Sequence, residues 1–487
     1  MADSRRASTI QLQKMAVKME TQTRLIQFMA SILISLFLTY LFKDDTFHAP
    51  QLYVLFLLFF SISLWITEAI PPFAVGIMIV GFLVFFLGRP EVAEMTDIDV
   101  TAFVNKWSDS VIWLLLGGFF LAEGLRKTGL DLKIFKLTIS RFSENPVKLL
   151  LALMFVTAIA SMVMSNTATT AMMLASITPL VYQVGKESPL SKAILLGVPG
   201  AAAIGGMGTI IGSPPNAVAV DAINRMDGID FHIGFFEWMV FGVPIAMVLT
   251  TLFWLMLINR FKINNIVVDI SVFTGQEREE TDEEYIYGAE RKLQRKIVLS
   301  VMGLTIFLWL TDGLHPIPMA AVSGIPIIAL TMTSIISADD VRQLPWDTLM
   351  LVAGGLSLGL AIQETGIASN FVERLKDYQF PLMVMVGIFS MITVFAANVM
   401  SNTAAASILI PAAGLWPGID PVVLPLIIGL SASCALFLPV STPPNSIAFS
   451  TGMLQAKDFR MGGSLVGLGG PVLIIAWVLL LVHLWIS

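Results

Sequence analysis

The tetrapeptide Ser165-Asn166-Thr167-Ala168 recurs in the second half of the chain as Ser401-Asn402-Thr403-Ala404. Three further short peptides recur in the same order and at nearly the same spacing. They are Gly117-Gly118 with Gly354-Gly355, Thr128-Gly129 with Thr365-Gly366, and Pro214-Pro215-Asn216 with Pro443-Pro444-Asn445. Ordered matches at nearly one spacing indicate an internal repeat. We therefore expect two homologous halves, residues 50–260 and 296–487.

The composition is that of a membrane protein. Of the 487 residues, 56% are hydrophobic and 13% are charged, against about 25% charged residues in an ordinary soluble domain. Many apolar runs reach the roughly 20 residues that a bilayer-spanning helix needs. They lie near residues 25–42, 51–66, 71–88, 107–124, 236–259, 296–312, 317–336, 345–364 and 465–486. The sequence thus predicts an all-α polytopic membrane protein.

Two further apolar regions, 147–224 and 380–452, are repeatedly interrupted by polar residues, glycine and proline. We interpret each half as five crossings and one re-entrant hairpin, at 147–183 and 380–415, with Ser-Asn-Thr at each hairpin centre. The whole chain then has about 11 transmembrane helices and two hairpins. An odd number of crossings inverts the second half, and inverted repeats are typical of alternating-access transporters that bind substrate between the repeats.

The basic residues predict the orientation of the chain. Lysine and arginine are enriched in cytoplasmic segments, and five of them precede the first apolar run. Residues 1–49 are therefore a cytoplasmic N-terminal segment with the first helix, loop 43–50 lies outside, and 261–295 is a cytoplasmic connecting loop. The N-terminal residues are Arg5, Arg6, Lys14, Lys18 and Arg24, and a second cluster contains Arg126, Lys127, Lys133, Lys136 and Arg141.

The proline pairs predict a cavity. Two successive prolines break a helix, and an opened backbone at membrane depth is tolerated only where it is buried in protein or lines a cavity. The N–H groups of the restarted helix attract anions, and Ser, Thr and Asn side chains donate hydrogen bonds to carboxylates. None of the four motifs contains a lysine or arginine. A bound dianion would therefore need neutral donors and co-bound cations, which favours coupling to sodium.

Other classes of function have less support. The same residue types serve helix packing and kinks, although the ordered repetition of both motifs argues against packing alone. The net charge of −6 argues against a nucleic-acid partner. The single cysteine, Cys434, excludes an internal disulfide, and the four histidines lack metal-ligand spacing. The sequence has neither HExxH nor GxSxG, so we do not expect an enzyme.

At these motifs the sequence resembles the divalent anion:sodium symporter family, which includes INDY-type citrate and dicarboxylate transporters. The resemblance extends from about residue 50 to the end and includes Ile204-Gly205-Gly206-Met207-Gly208-Thr209 before the first proline pair. It implies a homodimer in the lipid of the plasma (inner) membrane, with a fixed scaffold and a moving transport domain. The implied activity is sodium-coupled uptake of C4-dicarboxylates such as succinate, malate and fumarate by an elevator motion.

The resemblance also implies the binding residues. Substrate would contact Asn166, Thr167, Ser213, Ser401, Asn402, Thr403, Thr442 and Pro443. One sodium site would use Ser161, Ser165, Asn166 and Gly212, and the other Ala397, Met400, Asn402 and Ser441. The run Ala397-Asn398-Val399-Met400 departs from the Thr-Glu start of many members. A sodium-independent dicarboxylate exchanger, or a citrate or sulfate carrier, therefore stays an alternative, although the Ser-Pro-Pro-Asn form of the first loop favours dicarboxylates.

Overall fold

The computed structural model describes residues 2–92, 98–131, 133, 145–225, 232–263, 282–367, 370, 381–413 and 421–486. All regular secondary structure within these residues is helical, which confirms the predicted all-α class. Most of the predicted connecting loop lies outside the described residues, as do Lys136 and Arg141 of the second basic cluster and the ends of the 380–415 hairpin.

Nine helices in the described part of the chain are long and apolar enough to cross a membrane, which confirms a polytopic membrane protein. The predicted number of about 11 stays a prediction. The nine are Thr21–Phe42, Ala49–Thr67, Thr101–Thr128, Pro189–Gly208, Phe235–Phe261, Glu290–Leu310, Trp346–Glu364, Leu382–Val399 and Ala456–Trp485. Shorter apolar helices are Pro72–Leu87, Pro146–Ser161, Met319–Met332, Asn402–Ala413 and Val423–Ala432. The remaining helices include Asn166–Val184, Pro214–Asn224, Ala338–Arg342 and Pro443–Ser450.

The chain forms two compact units. The first comprises Met1–Trp107 and Met350–Lys376, and the second comprises Ser108–Leu349 and Asp377–Ser487. In the first unit, Gly354 of helix Trp346–Glu364 crosses helix Pro72–Leu87 at Gly76, where an added Cβ would lie 2.3 Å from the Gly76 Cα. Glycine at both positions allows these two helices to approach this closely.

Repeated peptides have the same local structure in both halves. Gly117, which matches Gly354, also lies at a close helix crossing, where an added Cβ would be 2.8 Å from the Cβ of Ser323. Gly129 and Gly366 both have positive φ, at 62° and 72°, the backbone conformation that favours glycine after a helix. The repeat found in the sequence is therefore also a repeat of helix crossings and helix ends.

The last membrane helix contains a π-helical segment, Gly463–Gly469. A Cβ added to Gly463 or Gly467 would come within 2.5 or 2.6 Å of Phe437. The absence of side chains on this face lets the phenyl ring rest against the helix backbone. The contact positions the chain just before the second proline pair.

Candidate functional site

The first hairpin consists of helices Pro146–Ser161 and Asn166–Val184. Ser165 ends the turn between them in an extended conformation, and its Oγ accepts a hydrogen bond from Ala168 N at 3.2 Å. This is a helix N-cap, which stabilises the start of the second helix. The hydroxyl of Ser161 donates to Asn166 Oδ1 at 2.5 Å. Two residues of the first expected sodium site are therefore in direct contact.

The second hairpin consists of helices Leu382–Val399 and Asn402–Ala413. Ser401 Oγ accepts a hydrogen bond from Ala404 N at 3.1 Å, which is the same cap as at Ser165. The Oδ1 atom of Asn402 is buried and has no hydrogen-bond partner among the described residues. Both tips thus begin a helix with serine and asparagine, and they differ in what the asparagine contacts.

The first proline loop, residues 206–216, joins helix Pro189–Gly205 to helix Pro214–Asn224. Gly206–Gly208 form one 3₁₀ turn, and the backbone is extended at Thr209 and Ser213. The fully buried Asn216 holds this break closed, because its Nδ2 donates to the carbonyls of Gly206 at 2.8 Å and Thr209 at 2.7 Å. The asparagine after the proline pair therefore satisfies carbonyls that the broken helix leaves free.

The first hairpin packs directly on the first proline loop. Thr209 Oγ1 donates to the carbonyl of Met162. A Cβ added to Gly206 would lie 2.5 Å from Asn166 Oδ1, and one added to Gly212 would lie 3.1 Å from the Ser161 carbonyl. Ser161, Asn166 and Gly212 of the first expected sodium site therefore meet in one place, and Ser165 is the residue before Asn166.

The second proline loop, residues 435–445, joins helix Val423–Ala432 to helix Pro443–Ser450. Asn445 Nδ2 donates to the Leu438 carbonyl at 3.1 Å and to Ser441 Oγ at 3.3 Å. Ser441 Oγ in turn lies 3.0 Å from the Ala435 carbonyl. Thr442 caps the second helix by accepting a hydrogen bond from Asn445 N at 3.3 Å. The asparagine has the same role as in the first loop, but a serine hydroxyl mediates part of it.

A side-chain amide links the second hairpin to the second proline loop. Asn398 Nδ2 donates to the Val394 carbonyl at 2.8 Å, and Asn398 Oδ1 accepts from Phe437 N at 2.9 Å. Asn398 belongs to the run that departs from the family pattern. Its amide therefore serves a structural contact between hairpin and loop.

The helices that follow the tips and the loops are interleaved. Helix Pro214–Asn224 packs against Asn402–Ala413 of the second hairpin, and helix Pro443–Ser450 packs against Asn166–Val184 of the first hairpin. Each half thus supplies the helix that contacts the hairpin of the other half. The four polar motifs begin these four helices, so one contiguous region of the second compact unit contains all of them.

The predicted substrate residues differ in exposure. At the first tip Asn166 is half-buried and Thr167 is exposed, whereas at the second tip Asn402 is half-buried and Thr403 is buried. The remaining predicted substrate residues are the half-buried Ser401, the buried Ser213 and Thr442, and the exposed Pro443. Of the second expected sodium site, Ala397, Met400 and Ser441 are buried. Asn402 Oδ1 accepts no hydrogen bond among the described residues, so this set lacks the direct hydrogen bond that joins Ser161 and Asn166 in the first.

The region is polar without being charged. Neither the two hairpin tips nor the two proline loops contain an acidic or basic side chain. The nearest ionisable group in the sequence is the buried thiol of Cys434, one residue before the second loop. Several buried oxygen atoms lack a hydrogen-bond partner among the described residues, namely Thr169 Oγ1, Thr170 Oγ1, Asn216 Oδ1, Asn402 Oδ1, Ser407 Oγ and Ser433 Oγ. Neutral oxygen ligands of this kind suit a hard monovalent cation, and the hydroxyl groups can also donate to a carboxylate.

An ion-pair cluster that the sequence analysis missed lies at the far end of helix Pro214–Asn224. Arg225 bonds to Asp221 at 2.7 Å and to Asp109, and Asp109 also accepts from Val111 N. The cluster attaches this short helix to the start of helix Ser110–Thr128. The i, i+4 spacing of Asp221 and Arg225 was a signal in the sequence, whereas no local pattern pointed to the distant partner Asp109.

Comparison with known proteins identifies the family. Residues 62–415 match the family model described as citrate transporter. A sodium-dependent dicarboxylate transporter of Staphylococcus saprophyticus is 28% identical over 91% of this chain and 88% of its own length. The corresponding transporter of Staphylococcus aureus strain USA300 is 27% identical over 87% of this chain and 84% of its own length.

Two solved structures share the fold. The Neisseria gonorrhoeae MtrF structure, assigned to a class of antimetabolite efflux pumps, has a TM-score of 0.53 and 12% identity, and it covers 86% of this chain and 96% of its own. The Alcanivorax borkumensis YdaH transporter has a TM-score of 0.53 and 16% identity, and it covers 84% of this chain and 98% of its own. These likenesses concern the fold alone.

Proposed function

The chain belongs to the citrate transporter family, and we propose that it takes up divalent organic anions together with sodium. The proposed substrates are C4-dicarboxylates such as succinate, malate and fumarate, and the proposed mechanism is elevator-type alternating access in a homodimer. The names of its relatives, sodium-dependent dicarboxylate transporters at 27–28% identity, support this proposal. A sodium-independent exchanger of the same substrates, or a citrate or sulfate carrier, is the alternative.

One observation carries the proposal: the interleaved helices bring four uncharged polar motifs into one region of a protein whose helices are long and apolar enough to cross a membrane. A dicarboxylate has two anionic ends, and two equivalent tips offer one amide each, from Asn166 and Asn402. The hydroxyls of Thr167, Ser401 and Thr403 act beside these amides, and Ser213, Thr442 and Pro443 contribute from the proline loops. No lysine or arginine there competes with sodium for the substrate carboxylates.

The proposed cation ligands are neutral oxygen atoms. In the first half they come from Ser161, Ser165, Asn166 and Gly212, of which Ser161 and Asn166 already meet at 2.5 Å. In the second half they come from Ala397, Met400, Asn402 and Ser441. Hydroxyl, amide and carbonyl oxygens are the ligands that hard cations prefer. Bound sodium would neutralise charge on the substrate. Without it, moving each negative charge into a cell with a negative interior costs about 2.3 kcal/mol for every 100 mV of membrane potential.

The decisive experiment measures labelled succinate uptake into proteoliposomes that contain the purified protein. We expect uptake with an inward sodium gradient and little uptake when choline replaces sodium. Equal uptake in sodium and choline would contradict symport. In that case, preloading the vesicles with unlabelled succinate distinguishes the exchanger, because only exchange requires substrate on the opposite side.

We further propose that residues 50–260 and 296–487 are inverted repeats, with the N-terminus in the cytoplasm. The hairpin bases then lie on opposite sides of the membrane. Lys148 and Met383 are both exposed, so Lys148→Cys and Met383→Cys can be compared in a Cys434→Ala background with an impermeant thiol reagent. The reagent added outside should label position 383 and spare position 148. Labelling of both from one side would contradict inversion.

A further inference from the structure

The two hairpin tips share two backbone hydrogen bonds and a serine cap. An i−4 bond precedes each tip and a second one follows each capping serine, although helix Pro146–Ser161 ends two residues earlier, relative to the cap, than helix Leu382–Val399. The paired bonds are Met164 N to Ala160 O at 2.9 Å with Met400 N to Ala396 O at 2.8 Å, and Thr169 N to Ser165 O at 2.9 Å with Ala405 N to Ser401 O at 3.0 Å. Ser161 and Ala397 are therefore structurally equivalent, and both are fully buried.

The side chains at this position differ in an oxygen atom that can bind a cation: Ser161 has a hydroxyl group and Ala397 has none. In the first half, Ser161 Oγ meets Asn166 Oδ1 at 2.5 Å. In the second half, Ala397 has no hydroxyl, and Asn402 Oδ1 is a buried acceptor without a partner among the described residues. The second site therefore lacks the side-chain oxygen that completes the first.

The proline loops also differ at one position, and here it is the second half that has the hydroxyl group. Gly212 of the first loop has no side chain, and the carbonyls of Gly206 and Ser161 lie 2.6 and 3.1 Å from where a Cβ would be. When the two proline pairs are aligned, the residue equivalent to Gly212 is Ser441. Its hydroxyl lies 3.0 Å from the Ala435 carbonyl, which corresponds to Gly206, and 2.8 Å from the Leu438 carbonyl. The Ser441 hydroxyl thus contacts two carbonyls of its loop, whereas the equivalent carbonyls of Gly206 and Thr209 accept from the Asn216 amide and have no hydroxyl at position 212 beside them.

We infer that the two halves bind sodium unequally, with a tight site at Ser161, Asn166 and Gly212 and a weak one at Ala397, Asn402 and Ser441. The inference rests on the proposed sodium coupling. In the second half, Ser441 and Asn398 hold the loop and the hairpin by hydrogen bonds that need no ion. One tightly bound sodium and one divalent substrate carry a net charge of −1 together, so the second, weakly bound ion limits transport at low sodium.

The test is a gain of function. Ala397→Ser supplies the hydroxyl that Ser161 supplies in the first half, and uptake of labelled succinate into proteoliposomes is measured against sodium concentration at constant ionic strength. We expect the sodium concentration for half-maximal uptake to fall about tenfold, because one added oxygen ligand to the ion should contribute about as much as a hydrogen bond to a charged group. Ser441→Gly, which exposes the Ala435 carbonyl, is expected to act in the same direction and serves if Ala397→Ser does not fold. Ala396→Ser adds the same hydroxyl one residue away and should leave the sodium dependence unchanged.

Each outcome separates the inference from the proposed function. Sodium-independent uptake by wild type and by both variants overturns the sodium coupling and the inference with it. Sodium-dependent wild-type uptake that neither Ala397→Ser nor Ser441→Gly shifts overturns the inference alone. An equal shift from Ala396→Ser also overturns it, because the effect would then be independent of the position of the hydroxyl.

Discussion

The two proline loops contain the same Pro-Pro-Asn sequence and are held in different ways. Residues 206–213 of the first loop are all buried, and the loop is connected to the first hairpin through Thr209. In the second loop, Leu438 is 41% and Val440 is 73% exposed. The shared prolines and asparagine determine where the helix breaks. The residues before the prolines, glycines in one loop and larger side chains in the other, determine how tightly the broken segment packs.

The largest effect is expected at the paired asparagines of the tips. Asn166→Ala and Asn402→Ala each remove a donor to a buried carboxylate, which costs about 1.5–3 kcal/mol or at least tenfold in affinity. Both should abolish most succinate uptake, and in the uptake that remains Asn402→Ala should raise the half-maximal sodium concentration more than Asn166→Ala, because the weaker site limits transport. Thr178→Val, farther along the same helix as Asn166, is the matched control with normal uptake. Near-normal transport in both alanine variants would remove the tips from the site.

Gly212→Ser gives the first proline loop the serine that the second loop has at the equivalent position, Ser441. The new Cβ would lie 2.6 Å from the Gly206 carbonyl, so the backbone must shift and the first sodium site with it. We expect the sodium affinity of the first site to fall about tenfold or more, the loss of one good ligand contact, so that this site is no longer the tighter one and the half-maximal sodium concentration for uptake rises. A variant with wild-type sodium dependence would show that the absence of a side chain at Gly212 is unrelated to cation binding.

The asparagines after the proline pairs are expected to differ in their contribution to stability. Asn216→Ala leaves two buried carbonyls without their donor, which costs about 2 kcal/mol. Asn445→Ala costs less, about 1 kcal/mol, since its Leu438 carbonyl is in the exposed part of the second loop. Thermal unfolding in detergent, followed by intrinsic fluorescence, should give the larger decrease for Asn216→Ala. Equal decreases would mean that both loops are held equally tightly.

The smallest expected effect concerns the residues just before the prolines. Thr442 caps its helix, whereas Ser213 makes no side-chain cap bond. Thr442→Val should therefore lower the stability by about 1 kcal/mol, and Ser213→Ala should change it by less than about 0.5 kcal/mol. The same thermal unfolding without substrate measures both. A larger effect of Ser213→Ala would reverse this part of the comparison.

The sequence predicted the features that depend on local composition. Apolar runs located seven of the nine membrane-length helices of the described residues, and the proline pairs located both helix breaks, because these effects act within a few residues. Pro189–Gly208 and Leu382–Val399 lie in the regions predicted as interrupted, and the runs at 71–88 and 317–336 form the shorter helices Pro72–Leu87 and Met319–Met332. The predicted span 465–486 was too short at its start, since the helical segment begins at Ala456 and includes the π-helical turns beside Phe437. That segment depends on a residue of another helix, and no pattern in the glycine run reveals it.

Contacts between distant residues were not predictable in the same way. The serine cap of each tip follows from the sequence Ser-Asn-Thr, but the bond from Thr209 to Met162 spans 47 residues. The Asp109–Arg225 contact spans 116 residues. The interleaving of Pro214–Asn224 with the second hairpin likewise depends on the tertiary fold. The individual site residues are accordingly named by their motifs, and their roles in binding stay predictions.

The indole of Trp238 gives the first loop an optical signal of its own. Trp238 is fully buried, and its Nε1 donates to the Met207 carbonyl at 3.0 Å. Since indole emission depends on the groups around the ring, ion-induced movement of this carbonyl would change the wavelength or the lifetime. Subtracting the spectrum of Trp238→Phe isolates that signal from the other nine tryptophans of the ten in the chain. The equivalent of Met207 in the second loop is Leu436, for which the structure gives no indole partner among the described residues. The difference spectrum can therefore follow the first half of the molecule alone.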